Sequence, residues 1–378
     1  MEVYPGGVRR AQCEFMGADS GIIILIAGFV FAGFMVLALV GVFKDDRIGL
    51  PKDKPDRKKR GGTVPAQRRA SRSRQRDRDK PLPANATVTF AAERRAADID
   101  EVFEALDNDL VGLVPVKKKV QEIAALLLVD RARHRFGLDA PRPNLHMCFT
   151  GPPGTGKTTV ALRMADLLHR LGYLERGQLV HAMRDDLVGE YIGQTAPKTK
   201  RVLDRAMGGV LFIDEAYYLY RIGDSLDYGQ EAIDILLQVM EKDRDKLVVI
   251  LAGYKDRMDE FFTSNPGMSS RIAHHLDFAA YELDELTAIG RLMLGQSRYY
   301  LSKDAEAAFR QYLTGQMDQP LFANARSVRN ELERARLRHA HRLASDLHRN
   351  WTRDDLMRLE PTDIVDRPAD LPLERNQS

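Results

Sequence analysis

Between residues 145 and 158 the chain reads Leu-His-Met-Cys-Phe-Thr-Gly-Pro-Pro-Gly-Thr-Gly-Lys-Thr, and no other stretch limits its possible folds so sharply. An apolar run stops in a glycine-rich turn, and a helix-forming segment from Thr159 to Leu171 follows. That order of strand, loop and helix is what a phosphate-binding P-loop needs. Gly151, Gly154 and Gly156, with Pro152, Pro153 and Thr155 between them, let backbone N–H groups turn towards phosphate oxygens. The helix adds the positive end of its dipole. Lys157 is placed to reach the β- and γ-phosphates, Thr158 to offer a hydroxyl to Mg²⁺, and Thr159 to complete the phosphate-binding set.

Strand candidates recur around this loop at 145–150, 179–183, 209–214, 247–253 and 274–278, with helical stretches between them. Such alternation predicts an α/β fold, a parallel sheet covered by helices on both faces. Ahead of it, 101–109 reads as helical, and a long helix is expected from Val116 to about Phe136 with Ile123, Leu126, Leu127 and Leu128 on its apolar stripe. After Ala280 the strand signals stop. Residues 284–349 read as helices alone, with Leu286, Ile289, Met293, Phe309, Tyr312, Val328, Leu332 and Leu337 as expected core.

A second motif completes a nucleotide site. Gly209-Val-Leu-Phe-Ile-Asp214-Glu215 is a buried strand that ends in two carboxylates. Asp214 can hold Mg²⁺, and Glu215 can accept a proton from the water that attacks the γ-phosphate.

The front of the chain is of another kind. Positions 21–43 contain 23 residues without a charge, about 34 Å as a helix against a hydrocarbon core of roughly 30 Å. A secretory leader would have a shorter apolar region and a small-residue cleavage site, whereas Lys44, Asp45, Asp46 and Arg47 follow directly. The sequence therefore favours a transmembrane helix. Arg9 and Arg10 precede it, and a denser basic run follows, which keeps the C-terminal side in the cytoplasm or an equivalent compartment. If the segment is an annotation error, the protein is soluble and cytoplasmic. Between residues 51 and 80 there are 13 Lys and Arg against 4 Asp, a local +9 that leaves −6 for the remainder of a chain with net charge +3. With few large apolar residues this segment reads as a disordered tether, and with no aromatic residue to stack on bases it predicts no specific nucleic-acid partner. Two cysteines, Cys13 and Cys148, suggest neither a disulfide framework nor a metal site.

The P-loop, the Asp-Glu strand end, the Leu110-Val111-Gly112 stretch ahead of them and the helical segment behind them resemble an AAA+ ATPase. More narrowly, 102–344 resembles the CbbX family, the red-type Rubisco activases. The strings that carry this are 145–147, 184–195 (Arg-Asp-Asp-Leu-Val-Gly-Glu-Tyr-Ile-Gly-Gln-Thr), 212–220, 228–232, 264–267, 270–275 and 322–327 (Phe-Ala-Asn-Ala-Arg-Ser). The resemblance implies ATP and Mg²⁺ as cofactors, Val111 and Gly112 at the nucleotide, and a homo-oligomeric ring, a hexamer. It implies a pore loop at Tyr191-Ile192-Gly193 that grips an extended peptide. By itself, a lone Tyr between Glu190 and Ile192 reads as a partly buried loop residue. It implies Arg271 as a finger entering the neighbouring subunit's site, and Arg326 as a sensor of the γ-phosphate, with Arg329 one turn further as the fallback. The implied activity is pulling on the Rubisco large subunit to release inhibitory sugar phosphates, with ribulose bisphosphate as an activator. The alternative is a membrane-tethered AAA+ ATPase acting on another protein target, of the secretion or sporulation type. One position departs from the broad pattern: the strand 247–253 runs into Tyr254 where many relatives carry a polar sensor.

The expected layout is therefore an N-terminal segment 1–20, a transmembrane helix 21–43, a basic linker 44–96, the nucleotide-binding domain 97–280, a helical lid 281–350 and a tail 351–378. Full-length protein should resist carbonate extraction from membranes, while a chain lacking residues 1–85 should be soluble and retain ATPase activity. Recovery of intact full-length protein wholly in the soluble fraction would rule out the anchor.

Overall fold

The computed structural model describes residues 81–138, 141–220 and 228–364. They open with α1 (Phe90–Ala96), α2 (Ile99–Asp109) and α3 (Val114–Arg135), then β1 (Met147–Thr150) and α4 (Lys157–Arg170). Next come β2 (Leu179–Ala182), the short α5 (Arg184–Leu187), α6 (Thr195–Ala206) and β3 (Val210–Ile213), which runs into a 3₁₀ turn, Ala216–Leu219. After α7 (Gly229–Lys242), β4 (Val248–Gly253), α8 (Lys255–Ser264), α9 (Pro266–Ser269) and β5 (His274–Asp277) the sheet is complete.

All five strands are parallel, in the order β2-β3-β4-β1-β5. The three central strands are buried at every position, so successive side chains serve opposite faces. Met147, Phe149, Phe212, Ile250 and Ala252 join the core beneath α2, α3 and α4, whereas Cys148, Leu211, Ile213, Val249 and Leu251 join the one beneath α6, α7 and α8. The pairing also fixes the site. Thr150 lies opposite Gly253 on one side and Asp277 on the other, so the C-terminal ends of β1, β4 and β5 fall level with the turn that follows β1.

A lid follows, made of α10 (Leu283–Gln296), β6 (Tyr300–Leu301), α11 (Lys303–Met317), α12 (Ala325–Ala344), β7 (Arg358–Leu359) and α13 (Pro361–Ile364). Leu286, Phe309 and Val328 are fully buried in its core.

Four expectations are corrected. Leu337 and Leu126 are not core residues; they are 72% and 47% exposed. On α12 the buried face is Val328, Leu332, Ala335, His339 and Leu343, and on α3 it is Val116, Val120, Ile123, Leu127 and Leu128, and both leucines turn away from it. The lid is not helices alone, because β6 and β7 form a two-residue parallel ladder. Nor does packing against the lid stop at the expected boundary of 350. Leu359 and Ile364 are buried, Arg342 holds Asp363 through two bonds of 2.9 and 2.7 Å, and Arg338 donates to the carbonyls of Asp363 and Ile364 at 2.7 and 2.8 Å. The linker likewise stops earlier than residue 96, since α1 is anchored by a buried Glu93 that pairs with Arg135. Among the described residues no helix is long and apolar enough to cross a membrane, and the expected span at 21–43 lies outside them, as do 1–80 and 365–378 generally.

Candidate active site

The turn after β1 is built by close approach. Gly151 sits at φ 144°, and a side chain there would run into the carbonyl of Phe278; its N–H donates to Gly253 O at 3.1 Å, which ties the loop to β4. Gly154, at φ 72°, is pressed against the lid, where a Cβ would collide with Ala323 O. Only glycine meets both demands. Thr155 is buried and its hydroxyl donates to Pro152 O at 2.9 Å. Gly156 caps the 14-residue α4, whose first turn, Lys157, Thr158 and Thr159, faces the cleft.

Lys157 donates to the carbonyls of Gly151 and Pro152, both at 2.7 Å, so its ammonium is held over the loop. Burial lowers its pKa, against the pull of Asp214 and Glu215.

At the end of β3 the two carboxylates are set apart electrostatically. For Asp214 burial acts to raise the pKa, but His181 at 3.6 Å, the Glu215 N–H at 3.1 Å and the charge of Lys157 outweigh it and hold the group low. Glu215 moves the other way, raised by burial and then by the charge of Asp214. Its Oε2 is buried without a hydrogen-bond partner, and its backbone takes φ 51°, an uncommon angle for a residue with a side chain. An ionised carboxylate beside a more basic one with an open oxygen suits one group to a cation and the other to a proton.

A cleft of about 350 Å³ collects these groups. Leu110 and Val111 line one wall, and Ile289, Met293, Arg326 and Arg329 of the lid line another. The charge of Arg326 reaches both Lys157 and Glu215. Gly112, at φ 64°, lies against Glu285 of the lid. Among the described residues no group of three or more His, Cys, Asp or Glu can hold a metal ion. The hydroxyl of Thr158 and the carboxylate of Asp214 are hard oxygen donors that fit Mg²⁺, which takes one or two protein oxygens and completes its shell with phosphate and water.

Two expected elements stand apart from this cleft. Arg271 is not among its lining residues; it pairs with Glu241 at 3.3 Å, donates to Gly267 O at 2.9 Å, and has its own carbonyl held by Asn144 at 2.7 Å. Tyr191 and Ile192 project from a loop at 67% and 83% exposure, with Gly193 at φ 79°. That exposure overturns the reading of Tyr191 as a partly buried loop residue. The base of the loop is pinned where Gly189 N–H donates to Thr195 Oγ1 at 3.0 Å and Thr199 Oγ1 donates to Leu187 O at 2.9 Å.

Three contributors had no strong signal in the sequence. His181 on β2 braces Asp214 and stacks on Phe212 at 5.5 Å. Tyr281 donates its hydroxyl to Thr155 O at 3.2 Å. Asn324, nearly fully buried, donates to Pro153 O at 3.2 Å and accepts from the Tyr281 N–H at 3.0 Å. Only Asn324 lay within a string already singled out, 322–327.

The parallel sheet, P-loop, paired carboxylates and lid arginines define a nucleotide-hydrolysing domain of the AAA class. Residues 147–279 match the ATPase family associated with various cellular activities (AAA), and 282–372 match the AAA lid domain. Similar curated proteins include the chromosomal protein CbxX of Cupriavidus necator, 64% identical over 68% of this chain and 81% of that protein. Protein CbbX of Cereibacter sphaeroides is 62% identical over 69% of this chain and 84% of that protein. The chloroplastic ribulose bisphosphate carboxylase/oxygenase activase of Cyanidioschyzon merolae is 57% identical over 74% of this chain and 95% of that protein. The chain belongs to the CbbX family of AAA ATPases and is an ATP hydrolase.

Asn324→Ala removes the side chain that joins the lid to the P-loop and leaves the part-buried carbonyl of Pro153 without that bond. The loss should cost about 1–3 kcal/mol and weaken binding of a non-hydrolysable ATP analogue by roughly tenfold, measured by calorimetry. Unchanged affinity would show that the joint does not shape the cleft.

Proposed function

We propose that the protein is an ATP-driven remodelling motor that acts as a ring, a hexamer, on red-type Rubisco, pulling on its large subunit to release inhibitory sugar phosphates. The observation that carries this is the 57% identity to a Rubisco activase along 95% of that activase's length. The relatives give no comparable support to a secretion or sporulation role.

In this reading the P-loop and Lys157 bind the β- and γ-phosphates of ATP, with Val111 and Gly112 at the base. Thr158 and Asp214 hold Mg²⁺, which supplies charge neutralisation at the phosphates. Glu215 takes the proton from the attacking water, and ADP and phosphate leave. The unpartnered Oε2 of Glu215 and its raised pKa support that role. Arg326 senses the γ-phosphate from the lid. Arg271 completes a neighbour's site, which its position away from its own cleft supports. Tyr191, Ile192 and Gly193 grip the peptide, which their exposure supports. Ribulose bisphosphate is the proposed activator. The uncharged stretch 21–43 is the proposed anchor, with the ATPase on the cytoplasmic or stromal side.

Rings made only of Arg271→Ala or only of Lys157→Ala subunits should lack hydrolysis. Mixed one to one, about a quarter of the head-to-tail interfaces regain an intact P-loop facing an intact arginine, and phosphate release should return in proportion. No recovery in rings verified as mixed would remove Arg271 from the neighbour's site.

A further inference from the structure

Glu215 is followed immediately by the 3₁₀ turn Ala216–Leu219, and this turn is met from several sides. It touches α5, α7, α8 and β4. Its first bond returns to the catalytic position, from Tyr218 N–H to Glu215 O at 3.0 Å. Ala216 and Leu219 are fully buried, while Tyr218 faces outwards.

Two arginines hold it. Arg184 begins α5, seven residues before Tyr191, and donates to Tyr218 O at 2.6 Å. Arg257, on α8 just beyond the end of β4, places its guanidinium over Tyr217, Tyr254 and Tyr218 at 5.1, 5.8 and 6.0 Å, and reaches Tyr218 Oη at 3.3 Å. Its charge is also felt at Glu215. The ring of Tyr217 covers Gly253, where a Cβ would come within 2.8 Å of it, so the end of β4 has no room for a polar side chain of its own.

The geometry points to the turn Ala216–Leu219 as the joint that couples the exposed loop Tyr191–Gly193 to Glu215, with Arg184 and Arg257 as its positioning residues. The inference rests on the proposed peptide-gripping role of that loop. A pull on the loop moves α5, and α5 is bonded to the carbonyl of Tyr218, whose own N–H is bonded to Glu215. Glu215 holds an unfavourable backbone angle that its surroundings must enforce, so a small displacement of the turn changes where its carboxylate points. Arg257 fixes the far side of the turn by ring contacts, so the displacement is delivered to Glu215 and not lost in a shift of Tyr218.

The test is a double-mutant cycle on ATPase stimulation, using a reduced, carboxymethylated unfolded polypeptide as the probe so that it does not depend on Rubisco. Arg184→Met should keep basal hydrolysis and the KM for ATP within about twofold of wild type, and lower the stimulation by a factor of about three or more. In a Tyr191→Ala background, where grip is already lost, the same substitution should have no further effect, a non-additivity that a general packing defect would not produce. Arg184→Lys should restore part of the stimulation. If Arg184→Met does not fold, Tyr218→Phe, which removes only the hydroxyl that Arg257 reaches, should give the same pattern. Full stimulation in Arg184→Met, additive effects in the cycle, or an equal fall in basal rate would overturn the joint while leaving the motor reading intact. A wild-type protein unmoved by the probe would overturn the joint together with the gripping loop.

Discussion

The seat of the lid on the P-loop is the contact on which the rest of the structure depends. Gly154 accepts a hydrogen bond from Ala325 N–H at 3.2 Å and has the Ala323 carbonyl pressed on the face where any other residue would carry a side chain. Asn324, between them, bonds at once to Pro153 and Tyr281. Since α12 begins at Ala325, the position of Arg326 in the cleft is set by backbone contact with the P-loop. The lid therefore cannot rotate far without disturbing the cradle. In the proposed motor this contact would link phosphate binding at the loop to movement of the lid.

The grouping of Lys157 with the two carboxylates follows from the sheet. β1 and β3 are separated by β4 alone, and all end at the same edge, so Lys157 and the carboxylates of Asp214 and Glu215 meet without any long-range loop. By contrast, Arg271 and Tyr191 do not line the cleft and are held by their own local bonds, Arg271 by Glu241 and Gly267, the Tyr191 loop by Thr195 and Thr199. A single copy thus carries two well-held elements that its own cleft does not use. In the proposed ring Arg271 would serve a neighbour's cleft across a head-to-tail contact, and the Tyr191 loop would serve the peptide.

Much of this was readable from the residues. The P-loop and the Asp-Glu strand end are legible because their chemistry demands particular residue types at fixed spacing, and the alternation around them sets the sheet. What could not be read depends on contacts far apart in sequence. Tyr281 meets Thr155 across 126 residues and Asn324 meets Pro153 across 171. The burial of Glu93 and Asp363 has no local signal, because Arg135 and Arg342, which pair with them, are brought there by the fold. Leu337 and Leu126 failed for a simpler reason, since an apolar residue near a helical stripe need not lie on it. The two-residue ladder of β6 and β7 is too short to show any periodicity.

The most direct measurement is reactivation of red-type Rubisco that has been inhibited by a tightly bound sugar phosphate, followed by carbon dioxide fixation after addition of the purified protein. The account predicts recovery with ATP and Mg²⁺, and none with a non-hydrolysable analogue or with Tyr191→Ala. Active ATP hydrolysis with no recovery of the inhibited enzyme would contradict it.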